Sequence, residues 1–306
     1  MITASASGKI ILFGEHAVVY GQPAIAVPVA QVATTVQIEQ GSKGIWIDAP
    51  VINLCDDLST LPTTHPIKKV LIDFFELANI PQPPLKIQIT STIPIASGLG
   101  SGAAVSVALL RGLSLFFKIT LTAEQINDLA FETEKIHHGT PSGIDNTVIA
   151  FSRPVYYIKN HRLETFTVKR PFHILIADTG ISALTKVAVG DVRALVERDQ
   201  IIYGNWIEQI GQIVVAARTC IEIGNLVELG SLMTKNQTAL SHLTVSSPEL
   251  DTLIATAMSH GALGAKLSGG GRGGNCIALV EESSIEKVTA ELVKAGAKSV
   301  YHTIIT

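Results

Sequence analysis

Only three cysteines occur in 306 residues (Cys55, Cys220 and Cys276). Scattered and odd in number, they exclude a disulfide framework, and none has metal-ligand spacing. They read as thiols of a reducing, cytoplasmic compartment. Charge is scarce as well: 16% of residues are charged, the formal net charge is −3, and no long Lys/Arg run exists. Nothing therefore points to nucleic acid or an anionic membrane as partner, and a polyphosphate site would have to concentrate its cations locally. Long apolar runs are also missing, because Gly, Pro and polar residues interrupt each one short of transmembrane length. The opening MITASASGKIILFGEH lacks a basic region followed by an apolar core, so no secretory signal is expected. What is abundant is hydrophobic residues, 47% of the chain, which is material for a packed core rather than disorder. The length suits one large domain or two medium ones.

β-Branched and turn residues dominate the first third. Residues 9–13, 24–29, 34–39 and 85–90 read as strands. Val105, Ala108, Leu109 and Leu113 then recur at helical spacing. Thr122 and Gln125 form a capping-box pattern ahead of Ile126, Leu129, Ala130 and Thr133, and Gly139 sits where that helix would end. A short strand over 173–177 leads into helical periodicity up to about Ser259. Two strands flank a glycine cluster, a helix opened by Ser283 and Glu286 closes near Gly296, and a strand over 300–305 ends the chain. Strands and helices interleave without regular alternation, which predicts an α+β fold. The change of pattern places a domain boundary near residue 165, giving domains of 1–165 and 166–306.

Four segments carry chemistry. The first glycine-rich run is Pro94-Ile95-Ala96-Ser97-Gly98-Leu99-Gly100-Ser101-Gly102-Ala103-Ala104, which enters an amphipathic helix. Glycines let backbone approach an anion closely, and a helix start supplies N–H groups and the positive dipole end, so phosphate is the ligand it fits best. No Gly-Lys-Ser/Thr follows, which excludes a Walker A loop. Gly98, Gly100 and Ala103 satisfy dinucleotide-binding spacing, and Glu124 lies where a ribose-binding acid would. Pro94 and Ser97 nevertheless break the tight strand-to-helix turn which that motif needs. The second run, residues 266–275, has five glycines among the six residues 269–274, a backbone that must pass close to something large. Arg272 within it is either solvated or bound to something anionic.

The third segment, residues 134–146, brings Glu134 near a helix end and Asp145 after a turn-prone Thr-Pro-Ser-Gly. An acid at a helix C-terminus opposes the dipole, so Glu134 needs a cation or solvent. His137 and His138 point to different faces and read as helix-end residues. The fourth, residues 6–21, opens an apolar strand with Lys9, which burial would force to find a partner. Glu15 and His16 follow the strand-ending Gly14 like a polar wall.

Together these segments resemble the GHMP small-molecule kinases, in matching order across nearly the whole chain. Within that superfamily GEHAVVYG and HGTPSGIDN resemble the branch that phosphorylates mevalonate. The resemblance implies a two-domain GHMP kinase fold, an S5-like N-terminal and a ferredoxin-like C-terminal domain around one active-site cleft. It implies ATP and Mg²⁺ as cofactors, mevalonate as substrate, and a homodimer. It assigns Asp145 as catalytic carboxylate and Lys9 as its cationic partner, with Pro94, Ser97, Gly98, Leu99, Gly100, Ser101, Gly102 and Ala103 around the ATP phosphates. Glu15 and His16 would line the alcohol site, and Glu134 would bind magnesium. These roles suit phosphoryl transfer, which mostly requires positioning and neutralised charge. Other outcomes compatible with the residues are a GHMP kinase for another alcohol (phosphomevalonate or a sugar) and a non-catalytic binding protein of that fold.

The chain departs from the family pattern at three places. Ser7 replaces a proline in the first motif. Gly102 stands where a magnesium-binding serine is common, so either Ser101 or water takes that place. In the second glycine run Arg272 stands for a usual glycine and Asn275 for a common cysteine.

Overall fold

A computed structural model describes residues 1–94, 97–138, 141–159, 164, 166–182 and 185–306, with only the backbone at 137 and 138. Gly139, the expected helix end, and residue 165, the expected boundary, lie outside the described residues. So do Ile95 and Ala96 of the first glycine run. The chain divides into two compact units: Met1–Lys9, Pro28–Ile95 and Leu99–Arg153 form one, and Ile10–Val27, Ala96–Gly98 and Pro154–Thr306 the other.

The chain opens with strands β1 (Ile2–Phe13), β2 (Ala24–Gln40), β3 (Ile45–Ala49) and β4 (Leu54–Asp57), then helix α1 (Pro66–Ala78) and strand β5 (Leu85–Ser91). Helices α2 (Ser101–Phe117), α3 (Ala123–His138) and α4 (Ile144–Phe151) follow. Residues 24–29 and 34–39, expected as separate strands, are one continuous strand. Pro28 is tolerated because β2 changes partner around it. Ala24–Ala26 pair with β6 (Val155–Tyr157) and Thr34–Gln40 with β5, and Pro28 falls between the two registers. Sequence patterning missed α1, although Pro66 at its first turn and left-handed Asn79 at its end are ordinary helix bounds. Its buried Ile67, Val70, Leu71, Phe74 and Phe75 recur at helical spacing, and Phe75 meets Phe117 of α2 edge-on at 5.7 Å. The capping box forms as expected: Thr122 N–H donates to Gln125 Oε1 at 2.9 Å, and Gln125 N–H to Thr122 Oγ1 at 3.2 Å.

In the second unit β7 (Phe172–Asp178) is followed by helices α5 (Thr185–Arg198), α6 (Gln200–Ile223), α7 (Leu226–His242) and α8 (Pro248–Ser259). Strands β8 (Ala262–Ser268) and β9 (Asn275–Val280), helix α9 (Ile285–Lys294) and strand β10 (Ser299–Ile305) complete the chain. These four strands form an antiparallel sheet in the order β10-β7-β9-β8, the ferredoxin-like arrangement. The helix start expected from Ser283 and Glu286 is different: Ser284 occupies the cap position and makes no side-chain capping bond, because a 3₁₀ turn over Glu282–Ser284 leads into α9.

Candidate functional site

In the first unit, three helices and one strand gather the ionisable side chains. Lys9 lies on β1, only 3% exposed, and its Nζ pairs with Asp145 Oδ1 at 2.9 Å. Burial of an ammonium demands such a partner. Asp145 sits in the first turn of α4, a helix absent from the sequence reading, where a carboxylate is favoured by the dipole. Glu134 on α3 is 3% exposed. Burial foremost, then the nearby Asp145 carboxylate, raises its pKa to about 8 against the pull of Lys9.

The helices carrying these groups are cross-tied. Ser106 of α2 and Thr133 of α3 share a buried 2.7 Å hydroxyl contact next to Glu134. Beside Asp145, the Asn146 amide donates to Asn127 Oδ1 at 2.7 Å. At the far end of α4, Arg111 donates to the carbonyls of Ile149 (2.9 Å) and Ala150 (3.0 Å), and reaches Ser5 O on β1 at 2.9 Å. Arg111 therefore ties the strand of Lys9 to the helix of Asp145. Sequence reading missed it because an Arg in an amphipathic helix carries no mark of such a role.

The first glycine run leads into α2 as expected. Gly98 and Gly100 have φ of +81° and +75°, and Gly100 caps α2 without a side chain, so the first-turn N–H groups of Ser101, Gly102 and Ala103 have no intrahelical acceptor. Lys9 N–H donates to Leu99 O at 3.0 Å, holding the run against β1. A Cβ at Gly100 would lie 3.0 Å from Lys9 Cγ and from Ile149 Cδ1. Gly100→Ala is accordingly expected to destabilise by about 1–2 kcal/mol from the left-handed backbone alone, with crowding of Lys9 added. Urea denaturation measures this, and a change below the error of the method would mean the loop relaxes freely.

The second unit holds another polar cluster. Glu15 pairs with Lys266 of β8, both side chains at 0% exposure, and Lys266 also donates to Leu267 O. Burial lowers the Lys266 pKa, and the Glu15 partner opposes that. His16, at φ +61°, donates from Nε2 to Gly270 O at 3.1 Å. Burial is the main cause lowering its pKa to about 4, with the charges of Arg272 and Lys266 acting the same way against the bond to Gly270. The imidazole is thus neutral. With its proton on Nε2, Nδ1 is an acceptor, buried and without a hydrogen-bond partner among the described residues. Arg272, left between solvent and an anion by the sequence, bonds Asp191 of α5 and donates from Nε to Thr244 O at 3.2 Å. Its φ of +57° is the backbone that makes glycine the easy residue there.

Among the described residues no group of three or more His, Cys, Asp or Glu could hold a metal. A divalent cation would therefore complete its shell with phosphate and water. Glu134 and Asp145 offer carboxylate oxygens and Ser101 a hydroxyl, whereas Gly102 offers no side-chain ligand. Carboxylate and hydroxyl oxygens are the donor types a hard cation such as magnesium takes. No helix among the described residues is long and apolar enough to cross a membrane.

Residues 65–153 match the family of GHMP kinases N terminal domains, and residues 216–298 the GHMP kinases C terminal family. The chain is 36% identical to a mevalonate kinase of Thermococcus sibiricus over 96% of its own length and 94% of that protein. It is 34% identical to a mevalonate kinase of Aeropyrum pernix over 97% and 94%. Among solved structures, L. major mevalonate kinase in complex with R-mevalonate superposes with a TM-score of 0.87 at 28% identity, covering 99% of this chain and 95% of that one. Two domain matches in the expected order, and relatives aligned nearly end to end at this identity, leave one conclusion: the chain belongs to the GHMP kinase family, in its mevalonate kinase branch.

Proposed function

We propose that the protein transfers the γ-phosphoryl group of ATP to the 5-hydroxyl of mevalonate, giving 5-phosphomevalonate and ADP, a step of isoprenoid precursor synthesis. The observation that carries this reading is the ion pair of buried Lys9 with the partly exposed Asp145, in a chain aligned over 96% of its length with a mevalonate kinase.

Asp145 orients the substrate hydroxyl and accepts its proton, while Lys9 offsets negative charge in the transition state. Both are held before substrate arrives, so little reorganisation accompanies the reaction. The run from Pro94 through Ala103 receives the ATP phosphates: glycines at positive φ open its backbone, and the start of α2 presents N–H groups. His16 meets the alcohol substrate through Nδ1, a neutral acceptor suited to a hydroxyl proton. Glu15 lines the same recognition segment and is fixed by Lys266. Glu134 and Ser101 would hold magnesium, which would supply positive charge to offset that of the transferring phosphoryl group.

An ADP-release assay with mevalonate, phosphomevalonate, galactose and homoserine tests the reading. Magnesium-dependent ADP formation is expected with mevalonate alone. Preferred turnover of another alcohol would overturn the substrate and keep the kinase. Nucleotide binding without turnover of any of them would overturn the enzyme reading itself.

A further inference from the structure

The geometry points to Asn275 as the positioning residue of the first glycine run, an inference that rests on the kinase reading above. Asn275 is fully buried at the head of β9, opposite Ser268 of β8 on one side and Asp178 of β7 on the other. Its backbone is held further by its neighbours. Gly274 O accepts from Thr179 N–H and Oγ1, each at 2.9 Å, and Gly274 N–H donates to Ile181 O at 2.8 Å. Ser268 Oγ donates to Ile11 O at 2.7 Å. From this fixed base the Asn275 side-chain amide donates to the carbonyl of Ser97, 178 residues away. It also packs under the next residue, since a Cβ on Gly98 would lie 3.7 Å from Nδ2.

Two residues beyond Ser97, the carbonyl of Leu99 accepts from Lys9 N–H. The run 97–100 is thus held through its carbonyls at two points. A loop of glycines left unpinned would lose conformational freedom each time phosphate bound, and holding it beforehand removes that cost. The amide is the group the task needs, because it donates without bringing charge beside a phosphate. An Asp of the same shape would set an acceptor against the Ser97 carbonyl.

The test uses Asn275→Ala and Asn275→Asp in the full chain. Amide hydrogen exchange of residues 97–103 is measured without ligand, with equilibrium ATP binding and the KM for mevalonate alongside. In Asn275→Ala, exchange in 97–103 is expected to quicken about 3- to 10-fold, the equivalent of one neutral hydrogen bond, with the amides of α7 unchanged. ATP should bind weaker by a similar factor while the mevalonate KM stays put. Asn275→Asp should be at least as impaired despite its equal size; should it fail to fold, the alanine variant decides alone. Unchanged exchange in 97–103 overturns the inference, as does general deprotection with equal loss for both ligands, which is the mark of a purely structural residue. Wild-type protein that bound no ATP would fail the kinase reading, and the exchange data would still judge the tether.

Discussion

Asp145→Asn is expected to lower kcat by about two to four orders of magnitude, the range for a positioned acid–base group, while ATP still binds and the fold survives. Survival follows from geometry. Asparagine keeps an oxygen in the place of Oδ1, 2.9 Å from Lys9 Nζ, so the buried ammonium retains an acceptor. What disappears is the negative charge and the capacity to take the hydroxyl proton. Lys9→Met should act similarly, since it removes the cation that offsets transition-state charge. Because the two side chains work as a unit, the double variant should lose less than the product of the single losses. Turnover, equilibrium ATP binding and a thermal melt on all three variants separate these effects. Near-normal kcat in Asp145→Asn would remove Asp145 from the chemistry.

The largest loss of stability is expected from Lys266→Met. Glu15 and Lys266 form an ion pair with no solvent exposure on either side. Such pairs contribute little net stability, because desolvating both charges offsets most of their attraction. Removing one partner is a different matter, since the carboxylate of Glu15 is then left in the interior without its counter-charge. The cost is about 3–5 kcal/mol. The double variant Glu15→Gln/Lys266→Met removes both charges and should recover most of that loss. Denaturant midpoints at constant slope provide the comparison. A loss under about 1 kcal/mol in the single variant would mean that water reaches Glu15, contrary to its burial.

Elements with a local cause were legible from sequence alone. Thr122 and Gln125 lie three residues apart and cap their helix by bonding each other's backbone. Gly98 and Gly100 announced a backbone at positive φ, and β-branched runs announced β1, β5 and β7. Lys9 among apolar strand residues announced a buried cation in want of an anion, although β1 begins at Ile2, seven residues before the expected start. Motif order announced the family. Helix α4 escaped because it spans only eight residues, and its start, Gly143 in the left-handed region, looks like one more turn residue.

Tertiary structure alone decided which side chains meet. Glu15 finds Lys266 across 251 residues, His16 finds Gly270 across 254, and Arg272 finds Asp191 across 81. Periodicity and turn chemistry register only neighbours within a few positions, since they arise from the backbone geometry of a single element. A long-range pair is fixed when sheets and helices pack, and packing is a property of the whole chain. For that reason the sequence by itself determined which residues this protein has for its chemistry, while the fold decided that Glu15 is locked to a lysine, that Arg272 spends its charge on the protein's own aspartate, and that Asn275 holds the first glycine run.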